Sequence, residues 1–222
     1  MKRVLILGDN KCALWHPLSG VDEALKRILE GFEVTVSEEY PYLKLHDVQA
    51  YDLIINYIDA WDRRAGADFA GVLMGYVAAG GALLTLHSGI IAHSIPEIEQ
   101  LIGASFTEHP PHEVLEYVYA NAHPIMKDMQ SFSIDEEPYQ FEMDNLARVN
   151  VIMEYVYKDE KYPAAWVRSY GSGKSCYLSM GHDPSTFANE GFAMLLKHSV
   201  LWCVKSCYIS KESSVNFDAC SV

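Results

Sequence analysis

Three short, unbroken apolar runs, each cut off by glycine or polar residues, leave few architectures open to this chain. Val4-Leu5-Ile6-Leu7 stops at Gly8-Asp9-Asn10, Leu53-Ile54-Ile55 lies between Asp52 and Asn56, and Ala82-Leu83-Leu84-Thr85-Leu86 stops at His87-Ser88-Gly89. A strand with one wet face alternates apolar and polar side chains, whereas a strand covered on both faces reads as a continuous run. Between these runs Val21, Ala24, Leu25, Ile28 and Leu29 recur at helical spacing up to Gly31, and residues 65–79 form a second helical stretch closed by Gly80-Gly81. With a further strand at 32–36, the alternation predicts an α/β fold: a mostly parallel sheet with helices on both faces.

The remainder differs in texture. A helix is expected at 96–102 and strands at 113–120 and 150–157, with a polar, loop-rich insertion between those two strands. Residues 166–170 and 175–180 flank Gly171-Ser172-Gly173-Lys174 and read as a hairpin, followed by an amphipathic helix at 191–204. Residues 1–205 are therefore expected to form one domain and 206–222 a polar tail.

Charge narrows the partners. Asp and Glu number 30 against 17 Lys and Arg, a formal balance of −13, which disfavours a nucleic acid and an anionic membrane alike. Five cysteines, odd in number and without a CxxC pair, argue against a disulfide scaffold. The four apolar residues near the N-terminus are too few for a signal-peptide core, and no run reaches the roughly 20 residues of a membrane span. Cytoplasmic residence is the resulting expectation. A homo-oligomer stays open.

The chemistry-bearing residues gather at strand ends. His87 and Ser88 follow an apolar strand directly, and ligands of open α/β sheets bind at the carboxyl ends of strands. Gly89 supplies only the downstream glycine of a G-x-S-x-G elbow, so His87 reads as an acid, base or ligand rather than as part of a nucleophile turn. Gly181-His182-Asp183 repeats the pattern after 176–180, which makes His182 the counterpart of His87. Five of the nine histidines, His87, His93, His109, His112 and His123, fall between residues 87 and 123. His93 and His112 taken singly read as solvated loop histidines. His109-Pro110-Pro111 and His123-Pro124 sit in turns that proline can aim.

Neutral imidazole also ligates metals, but no HxxxH, HExxH or CxxC spacing is present, so a metal site would have to be assembled from distant loops. Asp135-Glu136-Glu137 precedes Pro138-Tyr139 in an aromatic setting; a carboxylate held near aromatic surface can serve as general acid or base, although a charged run also suits a plain solvated face. Gly171 to Ser175 imitates the end of a phosphate loop, but Arg168 stands where the first glycine belongs and a strand follows.

Taken in order, Gly80 to Gly89, Leu101 to Phe106 with His109-Pro110, His123-Pro124-Ile125, Glu136-Glu137-Pro138-Tyr139, Pro163 with Trp166, and Gly171 to Gly173 leading into Tyr177 and Gly181-His182 make the chain resemble the ThuA-like (trehalose-utilization) family. That family lies within the class I glutamine amidotransferase-like, flavodoxin-like superfamily. In the amidotransferases the turn after the equivalent strand carries a nucleophilic cysteine; here it carries His87, so thiolate glutamine hydrolysis is not expected.

The resemblance implies a role in carbohydrate metabolism, with a small sugar, glycoside or keto-sugar derivative as substrate. It also implies a site lined by His87, His109, His123, Glu137, Tyr139 and His182. Glu136 stands where an Asp is more usual. At the N-terminus Asp9 and His16 match more loosely. The combined expectation is acid–base chemistry by His87, Glu137 and His182, with Asp9, His16, Ser88, His109, His123, Tyr139 and Trp166 binding substrate and a divalent metal as a candidate cofactor. The enzyme would be a hydrolase, lyase or isomerase. The rival expectations are a non-catalytic sugar-binding or sensing module and a structural subunit with a vestigial crevice.

Overall fold

A computed structural model describes residues 1–59, 67–91 and 95–205. The tail at 206–222, His93 and the first two residues of the helix expected at 65–79 lie outside the described residues. In chain order the elements are β1 (Arg3–Gly8), α1 (Val21–Ile28), β2 (Glu33–Ser37), α2 (Leu45–Val48), β3 (Leu53–Tyr57), α3 (Ala67–Ala78), β4 (Ala82–Leu86) and α4 (Pro96–Ile102). They continue with β5 (Ala104–Glu108), β6 (Glu113–Tyr119), β7 (Phe132–Glu136), β8 (Gln140–Met143), β9 (Asn150–Tyr157), β10 (Glu160–Tyr170), β11 (Gly173–Leu178) and α5 (Glu190–Val204).

Nine strands form one sheet in the order β2-β1-β3-β4-β11-β10-β9-β6-β7, while β5 and β8 pair separately. From β2 to β11 every neighbouring pair is parallel. From β11 to β7 every pair is antiparallel, so within this sheet only β10 and β6 run against the rest.

The unbroken apolar runs have a direct packing cause. Val4, Ile6, Leu53, Ile55, Leu84 and Leu86 join the core beneath α1 and α5. Their neighbours Leu5, Leu7, Ile54 and Leu83 join a second core with Phe69 and Leu73 of α3 and Ile98 and Leu101 of α4. Alternate residues thus bury on opposite faces, and each such side chain adds about 1.5–3 kcal/mol relative to exposure. Two buried polar residues interrupt the runs near their carboxyl ends: Asn56, which bonds the Gly89 carbonyl, and Thr85, whose hydroxyl has no partner among the described residues. At the edge, β2 keeps part of its surface wet and reads accordingly.

Helix boundaries follow local chemistry. Pro96 opens α4 at a position where no backbone N–H is needed, and Gly103 closes it with φ of 97°, a left-handed conformation that glycine adopts without strain. The phosphate-loop look-alike is the β10–β11 turn, where Gly171 has φ of 58°. Lys174 donates from Nζ to the carbonyls of Trp202 (2.8 Å) and Lys205 (2.7 Å), closing the C-terminal end of α5.

The expected loop-rich insertion between the strands at 113–120 and 150–157 contains two strands, β7 and β8, and β5 directly follows α4. In β7 the inward residues are Ile134 and Glu136, so the buried face includes a carboxylate and its apolar period is masked. This departure matters because β7 ends at the crevice.

Candidate active site

β1, β3, β4 and β11 run in one direction, so their carboxyl ends open on the same side of the sheet. Each end delivers a polar residue. The loop after β1 carries His16, Asp59 follows β3, His87 follows β4 and His182 follows β11.

His87 begins a single 3-10 turn and has φ of 42°, unusual for a residue with a Cβ and of a kind that concentrates at functional sites. The turn is held from two sides: Tyr177 donates its hydroxyl to the His87 carbonyl (3.1 Å), and Asn56 donates from Nδ2 to the Gly89 carbonyl (2.9 Å). A Cβ at Gly89 would lie 2.5 Å from the Asn56 carbonyl oxygen, so only glycine lets the turn pack this closely on β3.

Glu136 fixes the opposite wall. Its Oε1 accepts from the backbone N–H groups of Gly181 (2.8 Å) and His182 (3.2 Å) and from the Thr186 hydroxyl (2.8 Å). In sheet order β7 stands four places from β11, yet these bonds join their ends, so the antiparallel half of the sheet curls over the crevice. Tyr57 adds a hydroxyl bond to the Gly181 carbonyl at 2.8 Å.

Within this frame His16, His87, His182 and Glu137 converge, with one ligand-type atom from each lying within 4.8 Å of the others. His16 Nε2 is 3.2 Å from both His87 Nε2 and His182 Nδ1. Glu137 Oε2 lies 3.2 Å from His182 Nδ1, 3.3 Å from His87 Nε2 and 3.8 Å from His16 Nε2. The other carboxylate oxygen, Oε1, faces a second pair, His109 Nδ1 at 3.7 Å and His112 Nε2 at 3.8 Å. Glu137 therefore stands between an inner trio of histidines and an outer pair.

Behind the trio, Asp59 Oδ2 accepts from the backbone N–H of Trp15 (2.7 Å) and of His16 (2.9 Å), while Oδ1 lies 3.5 Å from His16 Nδ1. Burial opposes ionisation of Asp59, but its bonds from His16 and Trp15 outweigh burial and hold its carboxyl below the usual range. Burial likewise works against charge on His16, yet Asp59 and Glu137 prevail and raise its pKa. For Glu137, contacts with His16, His182 and His87 overcome the penalty of burial and keep the carboxyl ionised well below the ordinary carboxylate range. His87 is fully enclosed, and burial pushes its pKa down against the pull of Glu137 and Glu136. Its Nδ1 lies 2.6 Å from the Ser179 carbonyl, which can only accept, so Nδ1 carries the proton and the Nε2 lone pair faces the cluster.

The remaining expected residues divide. Tyr139 stacks on His87 with ring centres 4.3 Å apart, and His109 lies 5.4 Å from the same Tyr139 ring. Ser88 is buried beside His87, its hydroxyl without a hydrogen-bond partner among the described residues. Asp9 organises the loop that carries His16, accepting from the Cys12 N–H at 2.8 Å and from the Tyr40 hydroxyl at 3.4 Å. Two stand apart. His123 opens a 3-10 turn at Pro124–Met126 and packs edge-on against Trp202. Trp166 is wholly buried, donating from Nε1 to the Ile102 carbonyl and lying tilted against the Tyr177 ring with centres 4.3 Å apart, so it presents no face on which a sugar could lie.

Three residues of the site escape the reading of the sequence. Asp59 ends an apolar strand just as His87 and His182 do, which is the signal that could have found it. His112, expected as a solvated loop residue, packs edge-on against His182 with ring centres 4.5 Å apart. Glu136 anchors the His182 turn, a role that composition does not mark.

Residues 3–203 match the ThuA family, described as trehalose utilisation. A putative ThuA-like protein from Bacteroides uniformis superposes with a TM-score of 0.75 at 19% identity, covering 91% of each chain. Another from Parabacteroides merdae gives 0.75 at 16% identity, over 92% of this chain and 90% of the other. A cold-adapted β-galactosidase from Rahnella sp. R3 gives 0.66 at 16% identity, over 93% of this chain but 32% of that enzyme. No curated protein matches the chain in sequence. Among the described residues no helix is long and apolar enough to cross a membrane.

Proposed function

Because the chain belongs to the ThuA family, a carbohydrate-related family, we propose that it is an enzyme acting on a small sugar, glycoside or keto-sugar derivative by proton transfer in the crevice around Glu137. The observation that carries this reading is the position of Glu137, one oxygen turned to His16, His87 and His182 and the other to His109 and His112.

The two groups of histidines differ in access, and that difference supports a division of work between them. His16 and His87 are 2% and 0% exposed, so they hold the charge and shape of the crevice floor. His109 and His112 are 32% and 39% exposed and can meet a ligand. The Nδ1 of His109 lies 3.0 Å from the Pro110 carbonyl and must carry the proton, leaving Nε2 free to accept one from a sugar hydroxyl. His112 lies between the carboxylates of Asp135 and Glu137 and would give its own proton to the oxygen of the C–O bond that breaks, as the oxygen deprotonated by His109 forms its new bond to carbon. Positioned acid or base groups of this kind contribute about 10²–10⁴-fold each.

The test is a time course by NMR on disaccharides, glycosides and their keto derivatives, with Glu137→Gln and His112→Asn beside the native chain. A substrate is expected to be consumed by the native protein and at least about 100-fold more slowly by each variant. Binding of sugars with no chemical change over days would replace the enzyme by a sensing module.

A further inference from the structure

The inner trio and Glu137 pose a problem of hydrogen-bond chemistry that proton transfer does not solve. With Nδ1 of His87 committed to the Ser179 carbonyl, its Nε2 offers a lone pair. Nδ1 of His16 faces Asp59 at 3.5 Å, so its Nε2, when it gives up its proton in favour of a metal ion, offers a second lone pair 3.2 Å from the first. Both face Glu137 Oε2, a buried oxygen with no hydrogen-bond partner among the described residues. His182 Nδ1 closes the group at 3.2 Å from that oxygen and 3.2 Å from His16 Nε2. Acceptors crowded at such distances repel unless a proton or a metal ion lies among them; a proton bridges one pair, whereas four atoms converging within 4.8 Å can share one ion.

We infer that His16, His87, His182 and Glu137 bind one divalent first-row transition ion, with Asp59 and the Ser179 carbonyl orienting two of the histidines. Ligand atoms about 2.0–2.2 Å from a zinc-sized ion in a tetrahedron stand about 3.4 Å from one another; five of the six separations here are 3.2, 3.2, 3.2, 3.3 and 3.8 Å, and the sixth, between His87 and His182, lies within 4.8 Å, so an ion would draw that pair together. Three imidazole nitrogens and one carboxylate suit Zn²⁺, Mn²⁺, Fe²⁺ or Co²⁺, and do not suit Mg²⁺ or Ca²⁺, which take oxygen ligands. A carboxylate or carbonyl behind a ligating histidine is the usual arrangement, because it fixes the tautomer that presents the lone pair. His182, 22% exposed, marks the open side, where the ion could meet a hydroxyl or carbonyl of a ligand.

The ion does not depend on the sugar reading. A metal protein inert towards sugars would remove only the proposed reaction, and a metal-free protein that consumes sugars would remove only the ion. The experiment uses the full chain, stripped with EDTA, dialysed, and titrated with Zn²⁺ and separately with Co²⁺, with metal content by mass spectrometry. One equivalent per chain is expected, together with visible absorption from Co²⁺ in a low-symmetry nitrogen and oxygen field. His87→Gln and Glu137→Gln should abolish the stoichiometric site. Asp59→Asn should weaken it about 10–100-fold, the usual effect of losing an orienting partner. His46→Ala, on the exposed side of α2, and His123→Ala, beside Trp202, change histidines outside the cluster and should bind as the native chain does. Thermal unfolding with and without Zn²⁺ covers variants that fold poorly, since the ion should raise the midpoint of the native chain and not of His87→Gln. Less than a tenth of an equivalent in the native chain, or an unchanged equivalent in both His87→Gln and Glu137→Gln, would overturn the inference.

Discussion

Glu136 and Glu137 are adjacent carboxylates with opposite duties. Glu136 spends its Oε1 on three donors from the turn after β11, whereas Glu137 faces histidines with both oxygens. Glu136→Gln keeps the shape but weakens charge-assisted bonds, so it should cost about 2–3 kcal/mol in urea unfolding. Thr186→Val removes one neutral donor and should cost about 1 kcal/mol. Equal losses in the two variants would deny Glu136 its anchoring charge. His123 supplies a pH test away from the crevice. Its Nδ1 accepts from the Ile125 N–H at 3.3 Å, which only an unprotonated Nδ1 can do, and burial, helped by Lys174, lowers its pKa from 6.5. A lowered folded pKa means that its stabilisation is fully present above pH 6.5 and is lost as pH falls through the folded value. His123→Asn keeps an acceptor that does not titrate, so its melting temperature should fall less than the native chain's between about pH 7 and pH 5. Histidines after apolar strands were legible in the sequence because an abrupt change of polarity marks a strand end. His112, between Pro111 and Glu113, carried no such mark; its place beside His182 depends on the curl of the sheet.

Elements differ in how openly they declare themselves. β1, β3 and β4 are covered on both faces, so residues on either face meet an apolar core and the runs stand out. β5 and β8 are short and partly wet, and β7 turns a carboxylate inward, so pairing partners far along the chain decide what local pattern does not. The turn after β4 is the element on which the crevice most depends. Gly89→Ala would push a methyl against the Asn56 carbonyl oxygen, and neither β3 nor β4 can retreat without breaking parallel pairing. A loss of about 1–3 kcal/mol is expected by chemical denaturation. A fully native stability would show that this turn yields, and with it the placement of His87.

Across the whole molecule the sheet has a parallel half and an antiparallel half that curls, and the crevice lies where they meet. Hydrogen exchange should be slowest for amides of β1, β3, β4 and β11 and faster at the edge strands β2 and β7. Uniform protection across the sheet would contradict the contrast between its buried centre and its two edges. The acid excess also has a place in this picture: residues 131–144 hold Asp135, Glu136, Glu137, Glu142 and Asp144 without a Lys or Arg, and this stretch includes β7 and the Glu137 that faces the histidines. A crevice of that sign suits neutral polyols and cations better than polyphosphates. The strained backbone at His87 carries a final consequence. A residue with a Cβ at φ of 42° gives up about 1–3 kcal/mol that glycine would keep. That tension is held by the side chains around it, the Tyr139 ring stacked on the imidazole and the Ser179 carbonyl bonded to its Nδ1, so the crevice works like a drawn spring whose catch lies in its own walls.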